Sequence, residues 1–177
     1  RRRFIAQTTS SDWDLVVIPQ SAFTAINVSK DMRIDYIETQ LDTLREQLQS
    51  ADAERSKKRI ELAIKSAKAR LEKLLAAGTK DTGLRFEESG CDYLMIDEAD
   101  TYKNLGRTCN IEELSCPNAS QRAEDLHLKL TALRQRRRDE ALAKGIPGHR
   151  VVERVATAAT GTPISNSLGE LWVMQTY

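Results

Sequence analysis

Tyr93-Leu94-Met95-Ile96-Asp97-Glu98-Ala99-Asp100 is the stretch on which the fold turns. A short apolar run passes directly into two adjacent carboxylates. A parallel strand buried on both faces carries this kind of continuous apolar sequence, and ligands of open α/β sheets gather beyond the carboxyl ends of such strands. Asp97 and Glu98 are therefore expected at the working edge of a sheet. One carboxylate there can hold Mg²⁺ through water while its neighbour polarises an attacking water. A bare strand followed by an acidic turn has the same sequence, so this stretch alone leaves both possibilities open.

A second stretch narrows the choice. Val155-Ala156-Thr157-Ala158-Ala159-Thr160-Gly161-Thr162-Pro163-Ile164-Ser165-Asn166-Ser167-Leu168-Gly169-Glu170-Leu171-Trp172 is a run of small and β-branched residues, a Thr-Gly-Thr-Pro break, and then an amphipathic helix. Gly161 allows a tight turn, Pro163 ends pairing, and the threonine hydroxyls can bond groups on a neighbouring strand end. A plain strand-turn-helix corner capped by Ser165 or Asn166 would have the same residues.

Taken together, Asp97-Glu98-Ala99-Asp100 with Tyr102-Lys103-Asn104 and the later Thr160-to-Trp172 run resemble motifs II and III of superfamily-two helicases and translocases. The pattern is closest to the Swi/Snf-like branch. Asp12-Trp13-Asp14-Leu15-Val16-Val17-Ile18 with Ser21-Ala22-Phe23 resembles the strand before motif II in that branch. Phe86 to Leu94 resembles the lead-in to motif II in large bacterial and phage helicases, some of them fused to DNA adenine methyltransferases. The likeness covers roughly residues 1–30 and 84–177.

The resemblance implies an ATP-driven motor with ATP and Mg²⁺ as cofactors. Asp97 would organise Mg²⁺ through water, and Glu98 would orient or deprotonate the attacking water. Asp100, Thr160, Gly161 and Thr162 would link nucleotide state to the nucleic-acid track. The partners implied are double-stranded DNA and the remaining motor domains of the same polypeptide, in a bacterial or phage-associated cytoplasmic setting. Two departures stand out. No GxxxxGK[ST] phosphate loop occurs in the chain, and family order places that loop before residue 1. Asp100 stands where the Swi/Snf-like branch usually has His. The opening Arg1-Arg2-Arg3 and the apolar close suggest an internal piece of a larger protein, inactive on ATP by itself.

Composition agrees with a globular domain. The 177 residues are 40 % hydrophobic and 30 % charged with a net charge of +1, so nucleic-acid contact must come from local patches rather than a generally basic surface. The apolar runs are too short to span a bilayer. Cys91, Cys109 and Cys116 are odd in number and lack CxxC spacing, which favours free thiols over a zinc site.

The expected fold is α/β: a partial RecA-like parallel sheet flanked by helices, with an inserted antiparallel, coiled-coil-like helical hairpin. The divisions are 1–30 (first part of the core, with a strand around Leu15–Ile18), 31–83 (hairpin) and 84–177 (core with both motifs). Between 31 and 77 there is no Gly or Pro. Ile34, Ile37, Leu41, Leu44 and Leu48 form one seam, and Ile60, Ile64, Ala67, Leu71 and Leu74 a second. The seams are out of phase unless the chain breaks near Ser50–Glu54, with Ser50 or Asp52 as a cap. An acidic first arm and a basic second arm favour antiparallel pairing. A solvated spacer, a DNA-tracking wedge and a docking arm are all open roles for it. A non-catalytic module binding a partner through this hairpin is the alternative to the motor.

Ser120–Lys144 is expected to be one long helix with Leu126, Leu130 and Leu133 on one side, ended by Gly145-Ile146-Pro147-Gly148. Arg134, Arg136, Arg137 and Arg138 near its end could grip phosphates, or complement the helix C-terminus from solvent. His127 reads as a helix-surface residue and His149 as a loop residue.

Overall fold

The computed structural model describes residues 7, 10–11, 13–51, 54–77, 85–106, 119–164 and 168–177. It is mostly helical with a small parallel sheet of two strands, a mixture compatible with the α/β class. In chain order the regular elements are α1 (Gln20–Thr24), α2 (Lys30–Ser50), α3 (Glu54–Ala76), β1 (Leu94–Ile96), α4 (Gln121–Ala143), β2 (Ala156–Ala158) and α5 (Leu168–Met174), joined in places by single 3₁₀ turns.

The hairpin forms as its two seams require. The chain breaks between Ser50 and Glu54, with Ala51 extended and buried. All ten seam residues are buried or half-buried. Lys30 Nζ donates to the carbonyls of Leu75 (3.3 Å) and Ala77 (2.7 Å), tying the start of α2 to the end of α3 as an antiparallel hairpin requires. Ser29 caps α2 by accepting from Met32 N–H. Ser50 ends α2 with its hydroxyl turned back on Glu46 and Gln47, and Asp52 lies outside the described residues.

The expected pairing of an acidic arm with a basic one does not occur. Among the described residues no ion pair joins α2 to α3; Asp42 pairs with Arg45 on its own helix, and Arg70 of α3 reaches Glu124 of α4 at 2.9 Å. The seams turn toward each other and put the charges outward, where an ion pair contributes little. Apolar burial therefore sets the orientation.

The base of the hairpin joins the core. Tyr36, Ile37, Leu41 and Ala67 belong to the same buried cluster as Phe86, Tyr102, Leu126, Leu130, Leu133 and Val155. Its two ends meet in an isolated parallel bridge between Asn27 and Arg85, where Phe86 N–H donates to Asn27 O at 2.8 Å. The hairpin thus leaves and re-enters the core at one place.

α4 is the central helix. Leu126, Leu130 and Leu133 are buried as their spacing predicts, and Leu128, Lys129 and Ala132 are buried with them, so the helix is covered over more than one stripe. It ends in a Schellman motif: Gly145 N–H donates to Leu142 O and Ile146 N–H to Ala141 O, both 2.9 Å, with Gly145 at φ 72°. A residue with a Cβ would be strained in that conformation.

The strand expected at Leu15–Ile18 is absent. These residues are irregular, and Leu15, Val16 and Val17 are 68 %, 42 % and 84 % exposed. A strand needs a neighbour to complete its hydrogen bonds, and none lies beside this segment among the described residues. No helix among the described residues is long and apolar enough to cross a membrane.

Candidate functional site

β1 and β2 are parallel neighbours, Leu94 opposite Ala156, Met95 opposite Thr157, Ile96 opposite Ala158. The two motifs thereby end side by side. Backbone bonds continue the ladder past both strands: Ala159 N–H donates to Ile96 O at 2.8 Å and Ala99 N–H to Ala159 O at 3.0 Å. Leu94 and Ile96 pack on the core, whereas Met95 is 77 % exposed on the opposite face.

Between those ladder bonds the chain must turn, and it turns at Glu98. This residue has φ 51° and ψ 50°, the one left-handed non-glycine residue among those described. Such a conformation costs an L-residue about 1–2 kcal/mol and is held only where surrounding contacts fix it. Glu98 N–H donates to Asp97 Oδ1 at 3.0 Å, and Glu98 O accepts from Thr101 N–H (3.2 Å) and Thr101 Oγ1 (3.0 Å). Ala99, next in sequence, is buried at 2 % exposure and anchors the turn. Asp97 and Glu98 are both exposed at the carboxyl end of β1, where the sequence places them.

Thr160 and Asp100 are in side-chain contact across the two strand ends. Thr160 Oγ1 donates to Asp100 Oδ1 at 3.2 Å and accepts from Thr162 N–H at 3.2 Å. Gly161 sits between the two threonines, but its φ lies outside the left-handed range and a Cβ there would meet nothing within 4 Å. The turn therefore does not depend on glycine's freedom, contrary to the expectation from sequence. Ser165 and Asn166, the candidate caps, lie outside the described residues.

A second link was not foreseen. Lys103 Nζ lies 3.5 Å from Glu170 Oε2, and Glu170 is 3 % exposed on α5. Both residues stood in the quoted motifs, so the signal was their joint presence. Two further residues, Gln20 and Lys129, make long-range contacts that had no sequence signal. Gln20 Nε2 of α1 donates to Thr101 Oγ1 at 3.3 Å. Lys129 Nζ, fully buried, donates to Phe23 O and Asp125 Oδ2 at 2.7 Å each and lies 4.1 Å from the Phe23 ring centroid. Burial pushes the Lys129 ammonium below its ordinary range, opposed by the Asp125 bond; burial likewise pushes Asp125 up.

The four clustered arginines of α4, Arg134, Arg136, Arg137 and Arg138, have protein partners. Arg138 is bidentate to Glu153 at 2.7 Å for both bonds, Arg136 bonds Glu140 at 2.8 Å, Arg137 donates to Arg154 O and Arg134 to Tyr177 O. Together, Arg137 and Arg138 fasten the segment leading into β2. His127 is half-buried rather than on the open surface: its Nδ1 lies 2.7 Å from Tyr36 Oη, joining α4 to the hairpin. His149 lies exposed in a 3₁₀ turn. Cys91 is a free thiol raised above its ordinary range chiefly by burial, and Cys109 and Cys116 lie outside the described residues.

Among the described residues no three His, Cys, Asp or Glu side chains converge as a metal cage. Mg²⁺ does not need one, since it is commonly held by one or two carboxylates with water and substrate phosphate. Asp97 fits that role: Oδ1 is engaged by Glu98 N–H, and the carboxylate is exposed.

No curated protein and no solved structure matches the chain. One family model, described as "Probable helicase domain", matches residues 1–177. Two motifs side by side at a sheet edge and a match over the whole length lead to one conclusion: the chain belongs to this probable helicase domain family.

Proposed function

We propose that the chain is the central part of the first RecA-like motor domain of a Swi/Snf-like DNA helicase or translocase. It would couple ATP hydrolysis to movement on double-stranded DNA together with the remaining motor domains of its polypeptide. The observation that carries this reading is the left-handed Glu98, which sets two exposed carboxylates beyond β1 beside a Thr160–Asp100 bond to the next strand.

In this reading Asp97 would help to hold Mg²⁺ through its exposed carboxylate, and Glu98 would accept a proton from, or orient, the attacking water. Mg²⁺-ATP, when bound, supplies the phosphoryl group and the charge neutralisation that lets water attack it. Asp100, Thr160, Gly161 and Thr162 connect the two strand ends and so carry a shift at one motif to the other. The chain by itself, without a phosphate loop, is expected to hydrolyse ATP negligibly, because phosphoryl transfer depends on positioning and charge stabilisation.

Phosphate contact by Arg134, Arg136, Arg137 and Arg138 would require them to exchange their present partners. The salt dependence of DNA binding by Arg138→Ala reads whether they do.

The decisive test is DNA-stimulated ATPase activity of the full-length protein, wild type beside Glu98→Gln. The expected result is stimulated turnover in the wild type and a loss of about 10²–10⁴-fold in the variant, with ATP binding retained. Joint loss of binding and turnover would give Glu98 a structural role. A folded wild type without turnover would leave a partner-binding module as the better account.

A further inference from the structure

The bonds to Glu98 itself are local, to Asp97 and Thr101, but one of them leads on to a distant segment. The Glu98 carbonyl accepts from both the N–H and the hydroxyl of Thr101. That hydroxyl accepts in turn from Gln20 Nε2, a residue 81 positions away on α1. α1 has five residues, none of them fully buried, so it needs anchors of its own. It has one at each end: Gln20 on Thr101, and Phe23 O on the buried Lys129 of α4.

We propose that Thr101 is the positioning residue for the Glu98 carboxylate and that Gln20 acts through it, making α1 part of the device that aims the hydrolytic group. The inference rests on the motor reading above. A threonine hydroxyl can donate one hydrogen bond and accept others. Here it donates to Glu98 O and accepts from Gln20, so the two bonds do not compete. Removing the hydroxyl leaves Glu98 O with the Thr101 N–H alone and frees the turn to relax toward an unstrained conformation. The Glu98 carboxylate would then leave its position, while the backbone of the strand end stays fixed by the Ala159 N–H to Ile96 O bond. Catalytic rate should suffer and nucleotide binding should not.

The test uses the full-length protein with Thr101→Val, Thr101→Ser, Gln20→Ala and the Gln20→Ala/Thr101→Val double variant. DNA-stimulated kcat, KM for ATP and the melting temperature are read for each. Thr101→Val is expected to lose about 10- to 100-fold in kcat with KM unchanged and melting lowered only slightly by the two lost hydrogen bonds. Thr101→Ser should restore most of the rate. Gln20→Ala should lose less than Thr101→Val and add nothing to it in the double variant, as expected of residues acting in series. Wild-type kcat in Thr101→Val would overturn the proposal. So would a loss that follows melting temperature and is not rescued by serine, or additive losses in the double variant. A wild type without DNA-stimulated turnover, or one indifferent to Glu98→Gln, would instead remove the motor reading itself, and this proposal with it.

Discussion

Thr160 and Asp100, 60 residues apart in sequence, share a hydrogen bond of 3.2 Å across the ends of two parallel strands. It is the side-chain contact by which the threonine-rich turn meets the acidic one. Under the motor reading, Thr160→Val removes the donor while conserving volume. DNA stimulation of ATPase should fall several-fold with basal turnover retained, because each strand end keeps its own backbone bonds. Equal loss of basal and stimulated rates in a steady-state assay would count against a coupling role.

Lys129 is fully buried, and its ammonium satisfies Phe23 O and Asp125 together. Lys129→Ala should destabilise the chain by about 3–5 kcal/mol, since it strands a half-buried carboxylate and removes a filled volume. Lys129→Met keeps most of the volume, so its cost should be smaller. The Lys129→Met/Asp125→Leu double variant should recover part of the loss, as replacement of buried ion pairs often does. Urea denaturation of the four proteins checks the order.

Arg138 holds the Glu153 carboxyl below its ordinary value of 4.5 through a bidentate hydrogen bond, and a single bond from Arg136 lowers Glu140 likewise. A carboxylate with a depressed folded value contributes stability that is present above the unfolded value and is lost as pH falls through the folded one. Acidification below about 4.5 should therefore weaken the Arg138–Glu153 pair, at little cost to the fold because the pair is exposed. Carbon-13 titration of Glu153 should show a midpoint below 4.5 that rises toward the ordinary value in Arg138→Ala. An unchanged midpoint in that variant would remove the assignment.

Leu130 is completely buried at the middle of α4. Leu130→Ala should cost about 2–5 kcal/mol through lost transfer energy and the cavity left behind. Exposed Leu142→Ala on the same helix should change stability by less than about 0.5 kcal/mol. Comparable melting shifts for the two would mean that α4 is not the central packing element.

Legibility followed the range of the forces involved. The hairpin, its break and the long helix were open to reading because their signals are local: helical spacing of Ile34 to Leu48, of Ile60 to Leu74, and the Gly145 stop. The motif pair was open to reading because residue type and order carry it. Leu15–Ile18 misled because strand formation is decided by a partner elsewhere in the chain, and periodicity says nothing about whether that partner arrives. Lys129 was hidden for the same reason: set in an arginine-rich helix it looks like surface, and its acceptor at Phe23 lies 106 residues away. Gln20 and Thr101 are ordinary residues until the fold brings them together.

The parallel pairing of β1 with β2 also sets an order of events when the chain first folds. The two arms of the hairpin are separated by a three-residue break, and helix and short-loop formation take on the order of microseconds or less. The strand pair requires closure of a far longer loop with α4 inside it, and such non-local closure is slow. Hairpin and central helix should thus be in place before the two motif ends meet, so that the acidic turn is among the last features to be born. Variants in β2 should accordingly accelerate unfolding far more than they retard folding.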